Sequence, residues 1–360
     1  MARDQTEGPT LSVVVPVRDG AEFLPRSLAA LRASDLPVES WELIVVDDGS
    51  LDSSAEIAAQ YADRVVRVPP PAAGPPAARN RGIELARAPL VVFVDADVSV
   101  HPDALRRIRD LLAEKPELSA VFGAYDRSPS APGLVSQYRN LLHSYVHRRD
   151  QGEAVTFWTG LGAIRRQVLE QCGGFDPGER LDDVELGYRM SSQGHQILLN
   201  PDIQGTHLKR WTLNGMVATD IVGRGVPWVR LLLQGRRPPG RPTLNLRVGE
   251  QVMTALTAVA VVTLMMGIAW GEGASLLGAG MAVGTVIAAD REFLSWLAAQ
   301  RGWRFAISAI PLRLLYFTLN GVAVALALLP LSWRRRNLRQ GSALTGKWIA
   351  RPAPRAPEAP

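Results

Sequence analysis

The sequence predicts an α/β domain, a mostly parallel sheet flanked by helices, followed by a C-terminal transmembrane helical region. Three observations carry this: β-branched runs alternating with helical patterns before residue 100, acidic clusters closing two of those runs, and long uncharged apolar segments after residue 250. At 360 residues the chain exceeds the roughly 100 to 200 residues of one domain, so at least two units are expected.

Residues 11–16 (LSVVVP), 41–47 (WELIVVD) and 89–95 (PLVVFVD) are short apolar runs of the kind that form strands buried on both faces. Helical patterns occupy 21–33, 53–61 and 80–88. Alternating strand and helix argues for a parallel sheet covered on both sides. Ligands of such sheets bind beyond the carboxyl ends of the strands. The second run leads there into Asp47-Asp48-Gly49-Ser50 and the third into Asp95-Ala96-Asp97. Carboxylates gathered without partners repel one another, and a hard divalent cation such as Mg2+ or Mn2+ removes that cost.

Beyond residue 250 the composition changes. Nearly all Asp and Glu precede residue 254, and the rest of the chain is rich in Ala, Leu, Val and Gly. Candidate membrane helices lie at 251–271, 273–289 and 314–333, with an interfacial helix mixing Trp, Phe and Arg at 291–305. Arg236, Arg237, Arg241 and Arg247 place the preceding domain on the cytoplasmic side, as do Arg291, Arg301 and Arg304 for the loop after the hairpin. A complete third crossing would put Arg334-Arg335-Arg336 outside, against the same rule, so either the last segment does not fully cross or the rule is broken. The expected layout is a flexible 1–9, a catalytic domain over 10–235 with an interfacial stretch at 211–233, a basic linker 236–250, a membrane region 251–333 and a disordered basic tail 334–360. Such a layout describes a multi-pass protein of the inner membrane with its catalytic domain in the cytoplasm.

Other classes fall away. The formal charge of +5 comes without a basic helical stripe or a stacking pattern, which argues against nucleic acid; the basic residues flank apolar segments, as contact with an acidic bilayer surface requires. Cys172 is the only cysteine, which excludes an intrachain disulfide and a cysteine metal cluster. The N-terminal MARDQTEGPT has no apolar run, so no cleaved signal peptide is expected.

Several ordered motifs over roughly residues 10–235 together resemble the family 2 glycosyltransferases of the GT-A fold: SVVVPVRDG, VVDDGSLDSS, AARNRGIELA, VFVDADVSVHPDAL, WTGLGAIRRQVLEQCGGFDPG and LDDVELGYRM. Two positions depart from the family pattern: Arg18-Asp19 in the first motif, and Asp182 where Glu is usual. The resemblance implies an inverting, metal-dependent transferase. Pro16, Arg18 and Asp48 would line the nucleotide base pocket, Arg79 would approach the donor phosphates, Asp95 would contact ribose or metal, and Asp97 would bind the metal directly. Asp183 would be the base that takes the acceptor proton, a task suited to a carboxylate whose basicity is lifted by burial or a neighbouring charge such as Asp182. Thr159 and Gly160 would border donor sugar and acceptor. The His207-Leu208-Lys209-Arg210-Trp211 cluster offers an additional metal ligand in His207, and Lys209 with Trp211 beside the diphosphate or acceptor.

The implied donor is a UDP- or GDP-sugar, and the implied acceptor a lipid-linked molecule or a glycan. A processive polysaccharide synthase or a non-catalytic scaffold of the same fold are the competing readings. A sugar nucleotidyltransferase would need a basic Gly-rich loop after the first strand, which VPVRDGAEF lacks, and a transporter would need paired broken helices carrying polar groups.

Overall fold

The computed structural model describes residues 8–68, 73–235 and 247–329. The expected flexible N-terminus, most of the basic linker and the basic tail lie outside these residues.

In chain order the first half runs β1 (Leu11–Val17), α1 (Leu24–Arg32), β2 (Trp41–Asp47), α2 (Ser54–Ala58), β3 (Arg64–Arg67), α3 (Pro75–Leu85), β4 (Leu90–Val94), β5 (Val98–Val100) and α4 (Ala104–Glu114). It continues with β6 (Leu118–Tyr125), α5 (Leu134–Arg149), β7 (Gly152–Ala154), β8 (Leu161–Arg165), α6 (Arg166–Cys172), α7 (Asp182–Ser192) and β9 (Gln196–His207). The strands form one sheet in the order β3-β2-β1-β4-β8-β6-β9-β5, with β7 added on β9. Its first half is parallel, as expected, because β1 pairs in that sense with β2 and β4, and β2 with β3. The second half is mixed: β8 runs antiparallel to both β4 and β6, and β5 antiparallel to β9.

β1, β2 and β4 are buried along nearly their whole length, which is why they read as continuous β-branched runs. Gly82 explains how α3 sits so close to the sheet: a Cβ there would fall 2.2 Å from Val14 Cγ1. This helix corrects the expected 80–88. It begins at Pro75 and ends at Leu85, because the two prolines that read as loop occupy its first turn, where the missing N–H costs nothing. Arg79 is therefore inside the helix rather than at its start.

The remaining chain is helical: α8 (Leu213–Ala218), a π-helical stretch Thr219–Gly225, α9 (Val226–Leu233), α10 (Val248–Trp270), α11 (Gly273–Ala289), α12 (Arg291–Arg301) and α13 (Trp303–Leu328). α10 and α13 are each long and apolar enough to cross a membrane, and α11 and α12 form a pair bent by 61°. α10 and α11 make the expected hairpin. The third segment differs from the expected 314–333. It starts at Trp303 because Arg313, which reads as its boundary, is buried inside the helix by Asp290 (2.8 Å) and Glu250 (3.3 Å). It ends at Leu328, and residues 330–333 lie outside the described set. The expected interfacial helix 291–305 stops at Arg301, since Gly302 at φ 83° breaks it from α13.

Candidate functional site

The carboxyl ends of the central strands gather the acidic residues. Asp47 is fully buried, and its carboxylate holds the turn by accepting from the Ser50 N–H (2.9 Å) and the Arg67 Nε–H (3.0 Å). Asp48 is also buried; its two oxygens accept the N–H groups of Ala73 and Gly74, both at 2.8 Å, which ties the β2 turn to the loop before α3. Pro16 is half-buried in β1, whereas the Arg18 side chain is exposed, near Asp19. Asp19 takes a positive φ of 50° and is stitched to the β2 turn by Ser50 Oγ (3.0 Å) and the Leu51 N–H (2.8 Å).

Arg79 connects two motifs far apart in sequence. Its buried guanidinium donates to Asp182 (2.6 Å) and to Asp95 (3.0 Å), and lies over the Phe175 ring. Burial works against that cation, and the charges of Asp182 and Asp95 more than compensate, so its pKa rises. Asp182 and Asp183 open α7, where the helix dipole favours negative charge. Asp183 is half-buried, forms no ion pair among the described residues, and is within electrostatic reach of Arg79, Asp95 and Tyr125.

Burial pushes the Asp182 carboxyl up to about 6; Arg79 opposes the rise and the Asp183 charge adds to it. The sign follows from linkage: the folded chain keeps this proton up to about pH 6 while the unfolded chain releases it near 3.8, so between those values stability falls as pH rises. The Asp182→Asn variant lacks that slope. The melting-temperature difference, wild type minus variant, should decline from pH 4 to 6.5 and level off above. A difference that grows with pH contradicts the assignment.

On the other side of the site, Asp97 faces His207. The antiparallel pairing of β5 with β9 sets Val98 opposite His207, the Leu208 N–H donates to Asp97 O (2.8 Å), and His207 Nε2 lies 3.3 Å from Asp97 Oδ2. Burial opposes the Asp97 charge, but the hydrogen bond from His207 and the charges of His207 and Lys209 outweigh it and hold the carboxyl below its ordinary value. Asp95 goes the other way, lifted by burial and by Asp97 against the pull of Arg79. Lys209 sits over the Trp211 ring at 4.5 Å, and the Trp211 N–H donates to Ser136 Oγ.

Thr159 and Gly160 are buried beside the acid pair: β4 and β8 set Val94 opposite Leu161, and the Asp95 N–H reaches Gly160 O at 3.3 Å. A side chain at Gly160 would meet the Trp158 ring at 2.1 Å. The structure thus brings Asp95, Asp97, Arg79, Asp182, Asp183, Thr159, Gly160, His207, Lys209 and Trp211 to one end of the sheet, with Pro16, Arg18 and Asp48 at the neighbouring strand ends.

Two residues of this constellation escape sequence reasoning. Asn140 of α5 binds His207 Nδ1 through Oδ1 (2.6 Å), and Tyr125 at the end of β6 stacks on the His207 ring, centroids 4.4 Å apart. Burial raises the Tyr125 pKa well above its usual value, helped by Asp97 and Asp95. The only sequence signal for Tyr125 is its place at the end of an apolar run, and nothing local marks Asn140. Among the described residues, no three His, Cys, Asp or Glu side chains converge as a ready-made metal cage.

Residues 12–173 match the family described as Glycosyl transferase family 2. The chain is 27% identical over 212 residues to glycosyltransferase AglE of Haloferax volcanii, covering 56% of this chain and 68% of that protein. It is 28% identical over 233 residues to validoxylamine A glucosyltransferase of Streptomyces hygroscopicus subsp. jinggangensis, covering 52% of each, so it spans about half of that relative's length. A solved mannosyltransferase from Pyrobaculum calidifontis, in complex with GDP-Man and Mn2+, superposes with a TM-score of 0.53 at 20% identity over 89% of each chain, a likeness of fold. Family match and fold coincide over the same strands: residues 12–173 are similar to the family 2 glycosyltransferases, and the chain has a mixed α/β fold of the GT-A type.

Proposed function

We propose that this domain transfers a sugar, with inversion, from a UDP- or GDP-sugar to a lipid-linked or glycan acceptor at the cytoplasmic face of the inner membrane. The observation that carries the reading is the pairing of Asp97 with His207 beside the Asp95-Arg79-Asp182 chain that delivers Asp183 to the same strand ends. The relatives' names support the sugar transfer, and the solved mannosyltransferase was captured with a nucleotide sugar and Mn2+.

The residues fit a divalent cation of the Mg2+ or Mn2+ type. His207 is held by Asn140 Oδ1 at Nδ1 (2.6 Å), which aims its Nε2 at the Asp97 carboxylate (3.3 Å), so an imidazole nitrogen and a carboxylate oxygen converge where a cation would be held. One carboxylate and one imidazole suit a site whose other ligands are substrate phosphates. Asp97 and His207 would hold the ion, which when bound neutralises charge on the leaving nucleoside diphosphate.

The chain's own groups have separate tasks. Pro16, Arg18 and Asp48 line the base pocket, with Asp48 fixing the loop before α3 from the same carboxylate. Asp95 faces the ribose. Arg79 holds Asp95 and Asp182 in place. Asp183 takes the proton of the acceptor hydroxyl as the new glycosidic bond forms on the face opposite the departing diphosphate. Thr159 and Gly160 bring backbone close to donor sugar and acceptor, and Lys209 and Trp211 flank the diphosphate or the acceptor.

The test is a panel of UDP- and GDP-sugars offered to the purified full chain in lipid nanodiscs with membrane-lipid and glycan acceptors. The reading expects one donor to be consumed, a product of inverted anomeric configuration, and loss of turnover on chelation that Mg2+ or Mn2+ restores. No consumption of any nucleotide sugar sinks the reading, and retained configuration sinks its inverting part.

A further inference from the structure

α13 has the length and apolarity of a membrane span, yet it packs against the catalytic domain along much of its length. One stripe of the helix is buried from end to end: Ala306, Ala309, Arg313, Tyr316, Ala323 and Ala327. Its first half shares an apolar cluster with Tyr138, Leu141 and Tyr145 of α5, which belongs to the catalytic domain. Its second half meets that domain again. A Cβ on Gly225, the last residue of the π-helical stretch, would lie 2.7 Å from Ala323 Cβ. The same stretch carries Asp220, buried and paired with Arg139 of α5, and the half-buried Arg224. That buried ion pair ties the stretch, and with it the second half of α13, to a helix of the catalytic domain.

Distances then decide. Past Ala323 only five residues of α13 remain, about 8 Å of helix, against the ~30 Å a crossing requires. Even a helix carried on to Trp333, before Arg334, would span about 15 Å. The α10–α11 hairpin behaves differently. Glu250, Asp290, Arg313 and Arg149 meet at its base, which joins it to α5. From Glu250 to the turn at Gly271 α10 rises about 32 Å, and Gly267 packs tightly on Leu276 near the tip. Val262, Met265, Ile268 and Trp270 are exposed there, as a lipid-facing surface requires. α13 runs beside the lower part of α10, where a Cβ on Gly321 would lie 3.8 Å from Thr254 Cγ2 and 4.0 Å from Ala258 Cβ.

We infer that α13 lies in the near leaflet as a shelf between the catalytic domain and the bilayer, and that only the α10–α11 hairpin enters the membrane and returns. The segment after α13 is then on the same face as the catalytic domain. The conflict between a third crossing and the positive charge of Arg334, Arg335 and Arg336 in the sequence behind it then disappears. This rests on the membrane reading of the hairpin and is independent of the chemistry.

The test uses the full chain in a Cys172→Ser background, with Thr6→Cys or Ser342→Cys added singly. A membrane-impermeant maleimide is applied to sealed inverted and right-side-out vesicles. Both positions should label in inverted vesicles and be protected in right-side-out ones. Labelling of the two on opposite faces overturns the inference while leaving membrane attachment intact. Release of the chain by alkaline carbonate overturns the membrane reading and this inference with it. A green fluorescent protein fused to the C-terminus of the otherwise unaltered chain reads the same point without substitutions: fluorescence is expected, and a full-length but dark fusion contradicts.

Discussion

Asp97→Asn should lower kcat/KM by about 10²- to 10³-fold while leaving the fold intact, the size of loss seen when one electrostatic stabiliser of a developing charge is removed. Asn keeps the shape of the side chain and an oxygen for His207, and the Leu208 N–H bond goes to the backbone oxygen of residue 97, which the substitution does not touch. What disappears is the negative charge. Asp97 is ionised throughout the neutral range because His207 and Lys209 hold its carboxyl low, so the variant differs from wild type by a full charge at any working pH. Steady-state kinetics with the accepted donor, beside a melting curve, separates the outcomes. Turnover within threefold of wild type would remove Asp97 from the chemistry.

The second large effect belongs to Asp183→Asn. Loss of a general base costs typically 10² to 10⁴ in rate, and the drop should appear in kcat with donor KM little changed. Asp183 has no ion-pair partner among the described residues, and its carboxylate oxygen accepts only the Val184 N–H (2.8 Å), which an Asn oxygen can also do. The structural loss is confined to a charge at the first turn of α7, worth about 0.3 to 1 kcal/mol. Asp182→Asn is the control with the opposite profile, since it strips a buried partner from Arg79 and acts first on stability. An active Asp183→Asn beside an inactive but folded Asp182→Asn would move the base one residue back.

How far the sequence reveals these features depends on whether the cause is local. β1, β2 and β4 are legible because strands buried on both faces must be continuous apolar runs. β3 is not, because it is an edge strand of four residues with Arg at both ends. β9 escapes because Pro201 and Gly205 interrupt it, and its shift against β6 near Gly123 bends the pairing. The start of α3 is hidden by prolines that signal loop to the eye and first turn to the backbone.

In the site, the acids declare themselves by sitting directly behind apolar runs. Their partners do not. Arg79 meets Asp182 across 103 positions and Asn140 meets His207 across 67, contacts that only the folded sheet creates. α13 is misjudged for a related reason: Arg313 looks like a boundary until Asp290 and Glu250 are brought to it.

Nucleoside diphosphate binding, titrated calorimetrically into wild type and Asp97→Asn with and without Mn2+, tests the central claim most directly. The account predicts that the cation tightens UDP or GDP binding to the wild type and leaves the variant unchanged. Equal binding in all four titrations, or equal tightening by Mn2+ in both proteins, would contradict it.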